Sequence, residues 1–219
     1  MSETVQDTGD PYRLGRRGSH ASSSTGHGDG GPSPRNIVTS YGFWIFLLSD
    51  IIMFSGFFAA YAVLVGRTAG GPTGAELFEQ PRTVIETACL LFSSFTAGMA
   101  AVAAKRGHVL ATELWLCATA VLGAAFLVLE LDEFRGLIAQ GAGPERSAFL
   151  SAFFALVGCH GLHVFAGILW LGMMMAQILV KGFTPQIQRR FACFNLFWHT
   201  LDIVWVAIFT LVYLMGIKQ

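Results

Sequence analysis

Long apolar runs separated by short polar segments dominate this chain. They fall at residues 42–65, 83–104, 114–131, 149–180 and 191–215. Each approaches or exceeds the roughly 20 residues that a helix needs to cross a bilayer. The runs do not alternate between apolar and polar positions, as barrel strands would, and they are too long for such strands. The pattern therefore predicts an all-α polytopic membrane protein, a bundle of five transmembrane helices. The fourth run is longer than a bilayer requires, which predicts a tilted helix or one that projects beyond the membrane surface.

Residues 1–36 have a different character. They are rich in Gly, Ser, His and charge, with Pro32 and Pro34 just before the first run. This composition predicts a disordered tail ahead of a membrane domain over residues 37–219. The tail has no apolar central region or small-residue cleavage site, so the first span is expected to serve as the insertion signal. His20 and His27 lie in this Gly/Ser tract and read as solvated side chains rather than metal ligands. The segment TAGGPTG at residues 68–74 reads as a Gly/Pro turn, since it lacks the Lys and Ser/Thr ending of a phosphate-binding loop and follows no strand.

Composition agrees with a membrane protein: 53% of residues are hydrophobic and only 13% charged, less charge than a soluble domain of this size carries. No nucleic-acid partner is expected. Placing the N-terminus in the cytoplasm puts nine Lys and Arg on that side against five on the other, or seven against five once the distant Arg13 and Arg16 are left out. That excess predicts a cytoplasmic N-terminus and a periplasmic C-terminus. Cys89, Cys117, Cys159 and Cys193 fall in four different predicted helices without paired spacing, so they read as small buried hydrophobes rather than a disulfide framework or a zinc site.

Ionisable residues inside these spans are the candidate functional groups. Asp50 lies in the first span, Glu86 in the second, Glu130, Asp132 and Glu133 end the third, His160 and His163 lie in the fourth, and His199 and Asp202 in the fifth. A central Asp costs about 2.5 to 3.5 kcal/mol on insertion scales. Four ionised carboxylates facing lipid would together cost on the order of 10 kcal/mol, comparable to the whole stability of many proteins. These groups must face one another, another subunit or water. Glu130 with Glu133, His160 with His163, and His199 with Asp202 are each three residues apart, hence on one helical face. His199 donating to Asp202 would form a structural lock, a reading that takes precedence over proton transfer for that pair. Asp50, in FLLSDIIMF, has only Ser49 and Ser55 as polar neighbours in its own helix; a proton-active and a lipid-contacting role both stay open for the buried carboxyls Asp50 and Glu86, while Glu130, Glu133, His160, His163, His199 and Asp202 read as a structural polar network. Ser93, Ser94, Ala97 and Gly98, and Gly158 with Gly161, are small-residue groups that allow helices to approach closely.

Several long segments, in order, carry a resemblance. They are YGFWIFLLSD at 41–50, TAGGPTG, ETACLLFSS at 86–94, GPERSAFLSAFFALVG at 143–158, HGLHV at 160–164 and FWHTLDIVW at 197–205. With them the chain resembles subunit III of the haem-copper respiratory oxidases, most closely its bacterial cytochrome bo-type ubiquinol branch, over residues 41–216. The resemblance implies a non-catalytic subunit of a proton-pumping terminal oxidase in a bacterial inner membrane, with ubiquinol as substrate of the complex. It implies oxidase subunits I, II and IV as partners, haems and copper in the catalytic subunit, no cofactor in this chain, and room for bound phospholipid. The chain would stabilise the catalytic subunit and its proton-uptake region. The cytochrome c branch carries a buried Glu at the position of Asp50, so here the acid is kept but shortened by one methylene. That branch also has two further helices at its start. Their replacement by helices of the catalytic subunit is implied here, making the outer face of the first helix an interface.

The residues themselves argue against a redox centre. A bis-histidine haem needs imidazoles from opposite sides, which His160 and His163 on one face do not provide; only a cross-helix pair with His199 would. No ligand cluster suits copper. Three alternatives remain: subunit III of a cytochrome c oxidase, a stand-alone proton-coupled carrier, and a haem b membrane anchor. A carrier usually shows an internal repeat, which is not evident here.

Overall fold

The computed structural model describes residues 35–68 and 80–214, which contain helices and no strand. Five helices follow in order: α1 Arg35–Leu64, α2 Gln80–Lys105, α3 Val109–Ala139, α4 Ala148–Lys181 and α5 Pro185–Ile208. A π-helical turn, Phe209–Leu214, continues α5. All five helices are long and apolar enough to cross a membrane. The tail predicted over residues 1–36 lies outside the described residues up to residue 34, and Arg35 and Asn36 already belong to α1. Apart from Thr68, the TAGGPTG segment also lies outside them.

The third predicted span was too short. It ended at Leu131, whereas α3 runs for 31 residues to Ala139. The reason is periodic burial: Glu130, Glu133 and Leu137 continue the buried stripe that Gly123 and Phe126 begin. Glu130 and Glu133 turn into the bundle while Asp132 and Arg135 stay exposed, so hydropathy truncates a helix that packing extends. The fourth helix, with 34 residues, is the longest. At about 1.5 Å per residue it spans roughly 50 Å, well beyond a hydrocarbon core of about 30 Å.

Helix ends follow from local sequence. Ser147 and Thr184 cap α4 and α5 by accepting hydrogen bonds from the Leu150 and Ile187 backbone N–H groups, and Pro185 occupies the first turn of α5. Gly107, at a φ of 76°, ends α2: its N–H donates to the Ala104 carbonyl, and that of His108 to Ala103. A side chain at that positive φ would be strained, which is why glycine stops the helix there.

Helices α2 to α5 close a ring in which α2 packs on α3, α3 on α4, α4 on α5, and α5 back on α2. Trp198 of α5 fills its centre. A Cβ added at Gly123 of α3 would lie 3.0 Å from its ring, and one added at Gly167 of α4 would lie 2.9 Å away. The α2–α5 seam is polar as well as apolar: Trp198 Nε1 donates to Ser93 Oγ at 3.1 Å, and Trp205 Nε1 to Thr87 Oγ1 at 3.1 Å. Thr96 and Thr119 hydroxyls pair at 2.8 Å across α2 and α3. Small residues thus serve both close approach and interhelical bonding.

Helix α1 lies against the ring along α4 and α5. Aromatic contacts hold it: Phe43 to Trp170 at 5.9 Å, Tyr61 to Phe149 at 5.9 Å, and Phe46 to Phe197 at 6.4 Å between ring centroids. The Tyr61 hydroxyl donates to the Val212 carbonyl in the π-helical turn. The opposite face of α1 is exposed and apolar, with Trp44, Ile45, Leu48 and Ile52 more than half exposed.

Candidate functional site

The intramembrane polar residues gather into three groups. The largest occupies the end of the bundle at which α2 begins and α5 ends. Arg82 extends along α2, its Nε lying 3.8 Å from Oε1 of Glu86. Its terminal nitrogen donates to Asp132 Oδ2 at 2.6 Å and to the Leu129 carbonyl at 2.9 Å, both on α3. Glu86, Glu130 and Glu133 are all buried and lie within electrostatic reach of one another. Tyr213, carried by the π-helical turn, donates its hydroxyl to Glu133 Oε2 at 3.0 Å. A π turn shifts the phase of the side chains that follow it, and here it belongs to the segment that delivers the tyrosine.

Glu130 sits against bare backbone. A Cβ added at Gly161 of α4 would lie 2.5 Å from its Oε1, so glycine makes the room for the carboxyl. Among the described residues, neither oxygen of Glu130 or Glu86 has a hydrogen-bond partner. Across helices the group is tied by the Arg82 bonds from α2 to α3 and by the Tyr213 bond from the π-helical turn to Glu133 of α3.

His160 adjoins this cluster. It is fully buried, stacked on Trp205 at 5.3 Å with a 30° interplanar angle, and met edge-on by Phe126 at 5.8 Å. His163, one turn on, faces α1 instead. Its Nδ1 donates to the Cys159 carbonyl at 2.7 Å, and its Nε2 lies 4.0 Å from Asp50 Oδ2. That distance is an electrostatic contact rather than a hydrogen bond. Ser49 and Ser55 do not serve Asp50; their hydroxyls turn back to the Phe46 and Ile51 carbonyls. Phe54 touches both histidine rings, at 6.3 and 5.3 Å, and so separates the interior group from the α1 pair.

The third group lies on the α2–α5 seam. His199 and Asp202 do not bond directly. Ser94 of α2 stands between them, its Oγ 2.6 Å from His199 Nδ1 and its hydroxyl also facing the Asp202 carboxyl. The direct His199–Asp202 lock expected from their spacing is replaced by a bridge, whose hydroxyl comes from a residue 105 positions away in sequence.

Arg82, Tyr213 and Glu113 were missed as members of the intramembrane set. An Arg four residues before Glu86 is a spacing signal for an ion pair, and it was available in the sequence. Glu113, buried near the start of α3 with neither carboxyl oxygen hydrogen-bonded among the described residues, falls one residue outside the predicted third span. Nothing in the sequence marks Tyr213. Among the described residues, no group of three or more His, Cys, Asp or Glu side chains is placed to hold a metal ion.

Comparison with known proteins agrees with this architecture. The family described as cytochrome c oxidase subunit III matches residues 23–217. Cytochrome bo(3) ubiquinol oxidase subunit 3 of Pseudomonas aeruginosa is 50% identical over 207 residues, covering 94% of each chain. Quinol oxidase subunit 3 of Bacillus subtilis is 46% identical over 176 residues, 80% of this chain and 86% of the relative. Cytochrome c oxidase subunit 3 of Bacillus sp. strain PS3 is 42% identical over 175 residues, 80% of this chain and 84% of that protein. With five membrane-length helices and this extent of match, the chain belongs to the cytochrome c oxidase subunit III family.

Proposed function

We propose that this chain is the third subunit of a bacterial, proton-translocating ubiquinol oxidase. The observation that carries the reading is the 50% identity across 94% of both chains to a relative named for that complex. The haems and copper then belong to the catalytic subunit, with subunits II and IV completing the assembly in the cell membrane. Nine of the 14 Lys and Arg on one side of the spans support a cytoplasmic N-terminus and a periplasmic C-terminus.

In this reading the chain braces the catalytic subunit and its proton-uptake region. The apolar outer face of α1, including Trp44 and Ile52, supports a docking role for that helix. The Glu86, Glu130 and Glu133 cluster, His160, and the Ser94-bridged His199 and Asp202 hold the bundle's register. Asp50 with His163 stands between α1 and α4, where a proton-active or lipid-contacting role belongs. A cytochrome c oxidase is the second reading, favoured by the 42% identity to a subunit of that name.

Oxygen consumption by the complex that co-purifies with a tagged chain separates the two. Uptake driven by ubiquinol and not by reduced cytochrome c is the expected result. Uptake from cytochrome c alone would assign the other branch, and an intact preparation with neither activity would overturn both.

A further inference from the structure

The end of the bundle at which α2 stops and α5 starts is one-sidedly basic. Lys105 and Arg106 stand at the end of α2, Lys181 ends α4, and Arg189 and Arg190 lie in the first two turns of α5. Arg190 is engaged by Gln177 of α4, its guanidinium donating to Oε1 at 3.0 Å. Lys105 is exposed and makes no ion pair among the described residues. Over residues 105–113 and 177–192 the only acid is Glu113, which is buried. This end therefore offers cations with no exposed acid to neutralise them.

Between α2 and α5 at the same end lies a cavity of about 600 Å³. Its volume falls within the range of about 300 to 1,000 Å³ that ligand sites occupy. Lys105 and Gln188, both exposed, line its outer part, and Ala101, Ala104, Ala192 and Leu196 continue the wall inward. Leu196 lies eight residues beyond Gln188, roughly 12 Å along α5 at 1.5 Å per residue. Of the polar residues deeper in the wall, Asn195 has its Oδ1 buried and His199 has its Nδ1 engaged by Ser94 at 2.6 Å. Neither atom is offered to an occupant.

Both membrane-length spans that form the cavity, Pro81–Lys105 and Pro185–Tyr213, terminate at this end. The Lys105 ammonium thus sits where a bilayer places its phosphates, while the alanine and leucine wall runs on into the hydrocarbon. A fitting occupant carries negative charge at one end and an apolar body behind it. A soluble anion would use Lys105 alone, and a neutral lipophile only the wall. A phospholipid uses both, and basic pockets between membrane helices are suited to anionic headgroups.

We propose that this cavity holds an acyl chain of an anionic phospholipid, whose phosphate pairs with Lys105 while Arg106 and Arg189 add to the attracting field. The site belongs to the chain itself and does not depend on which electron donor the complex uses.

The test takes the complex that co-purifies with the tagged chain into phosphatidylcholine nanodiscs. Each preparation is doped with phosphatidylglycerol or with phosphatidylcholine carrying the same photoactivatable acyl chain, and adducts are mapped by mass spectrometry. Adducts within residues 101–105 or 188–196 are expected, about fivefold more abundant with phosphatidylglycerol, the gain for one cation near the membrane surface. Lys105→Gln, at an exposed position, is expected to bring phosphatidylglycerol labelling down to the phosphatidylcholine level, and Lys105→Arg to keep it. The wild-type complex decides the main points by itself: adducts confined to other segments would remove the site, and equal labelling by the two lipids would refute the anionic headgroup. Full phosphatidylglycerol labelling in Lys105→Gln would overturn the assigned phosphate contact.

Discussion

The Glu130 carboxyl of α3 lies so close to Gly161 of α4 that a Cβ at that position would come within 2.5 Å of its Oε1. A buried acid and a glycine on different helices are thus one feature. The glycine lets the acid enter the bundle, and the acid prevents the glycine from being replaced.

Gly161→Ala is accordingly expected to displace Glu130 and destabilise the subunit by about 1 to 3 kcal/mol, the range for overpacking a close-fitted interior. Thermal inactivation of the purified complex measures it. Gly98→Ala is the control, because nothing lies within 4 Å of a Cβ added there; equal loss in both variants would dissociate the effect from Glu130.

Trp198 should show coupling with Gly167. Gly167→Ala alone drives a methyl against the indole, while Trp198→Phe alone frees that space but loses the hydrogen bond to Ser93, worth about 1 kcal/mol. The double variant is expected to be more stable than the sum of the single effects predicts, by about 1 kcal/mol, as residues in contact show. A double-mutant cycle on thermal stability reads this directly, and strict additivity would mean that the indole does not sense position 167.

The Arg82 guanidinium is hydrogen-bonded to Asp132 of α3 and lies in ion-pair range of Glu86 on its own helix. Arg82→Leu leaves Glu86 without its neighbouring cation, Asp132 without its donor and the Leu129 carbonyl without its hydrogen bond, and is expected to cost about 2 kcal/mol, the sum of a partly exposed ion pair and one hydrogen bond. The amount of assembled complex in membranes should fall sharply, with partial recovery in Arg82→Lys. Full assembly of Arg82→Leu would show that the acids need no cation.

Ser94→Ala and Asp202→Ala are expected to weaken assembly more than turnover, and their effects should not add, because the serine links the histidine to the acid. Assembled yield and oxygen consumption per complex separate the two quantities. Normal yield with selectively lost proton pumping would turn this group from a lock into a proton path.

Asp50→Asn keeps the shape of a partly exposed side chain that makes no hydrogen bond to His163. Complex yield should therefore stay near the wild-type level, and any effect should fall on the ratio of protons pumped to oxygen reduced. Failure of the complex to form would make Asp50 structural.

Much of this fold is legible locally. Bilayer solvation is nearly one-dimensional: a run of apolar residues about 20 long declares itself wherever its neighbours lie, and the runs at 83–104 and 149–180 match α2 and α4 within three residues at each end. Spacing of three likewise placed Glu130 with Glu133 on one face. The same criterion failed where a helix carries its charge inward, so α3 was cut at Leu131 and Glu113 was left outside it.

By itself the sequence determined that five helices span a membrane, that acids and histidines lie within them, and which family they resemble. Only the tertiary structure decided who partners whom. Arg82 reaches Asp132 across 50 positions, Ser94 meets His199 across 105, and Tyr213 finds Glu133 across 80. Helical periodicity gives the angle of a side chain about its own axis, but partnership depends also on which helix stands opposite and at what depth. Those quantities are set jointly by packing around Trp198 and its two glycines, which no single segment encodes.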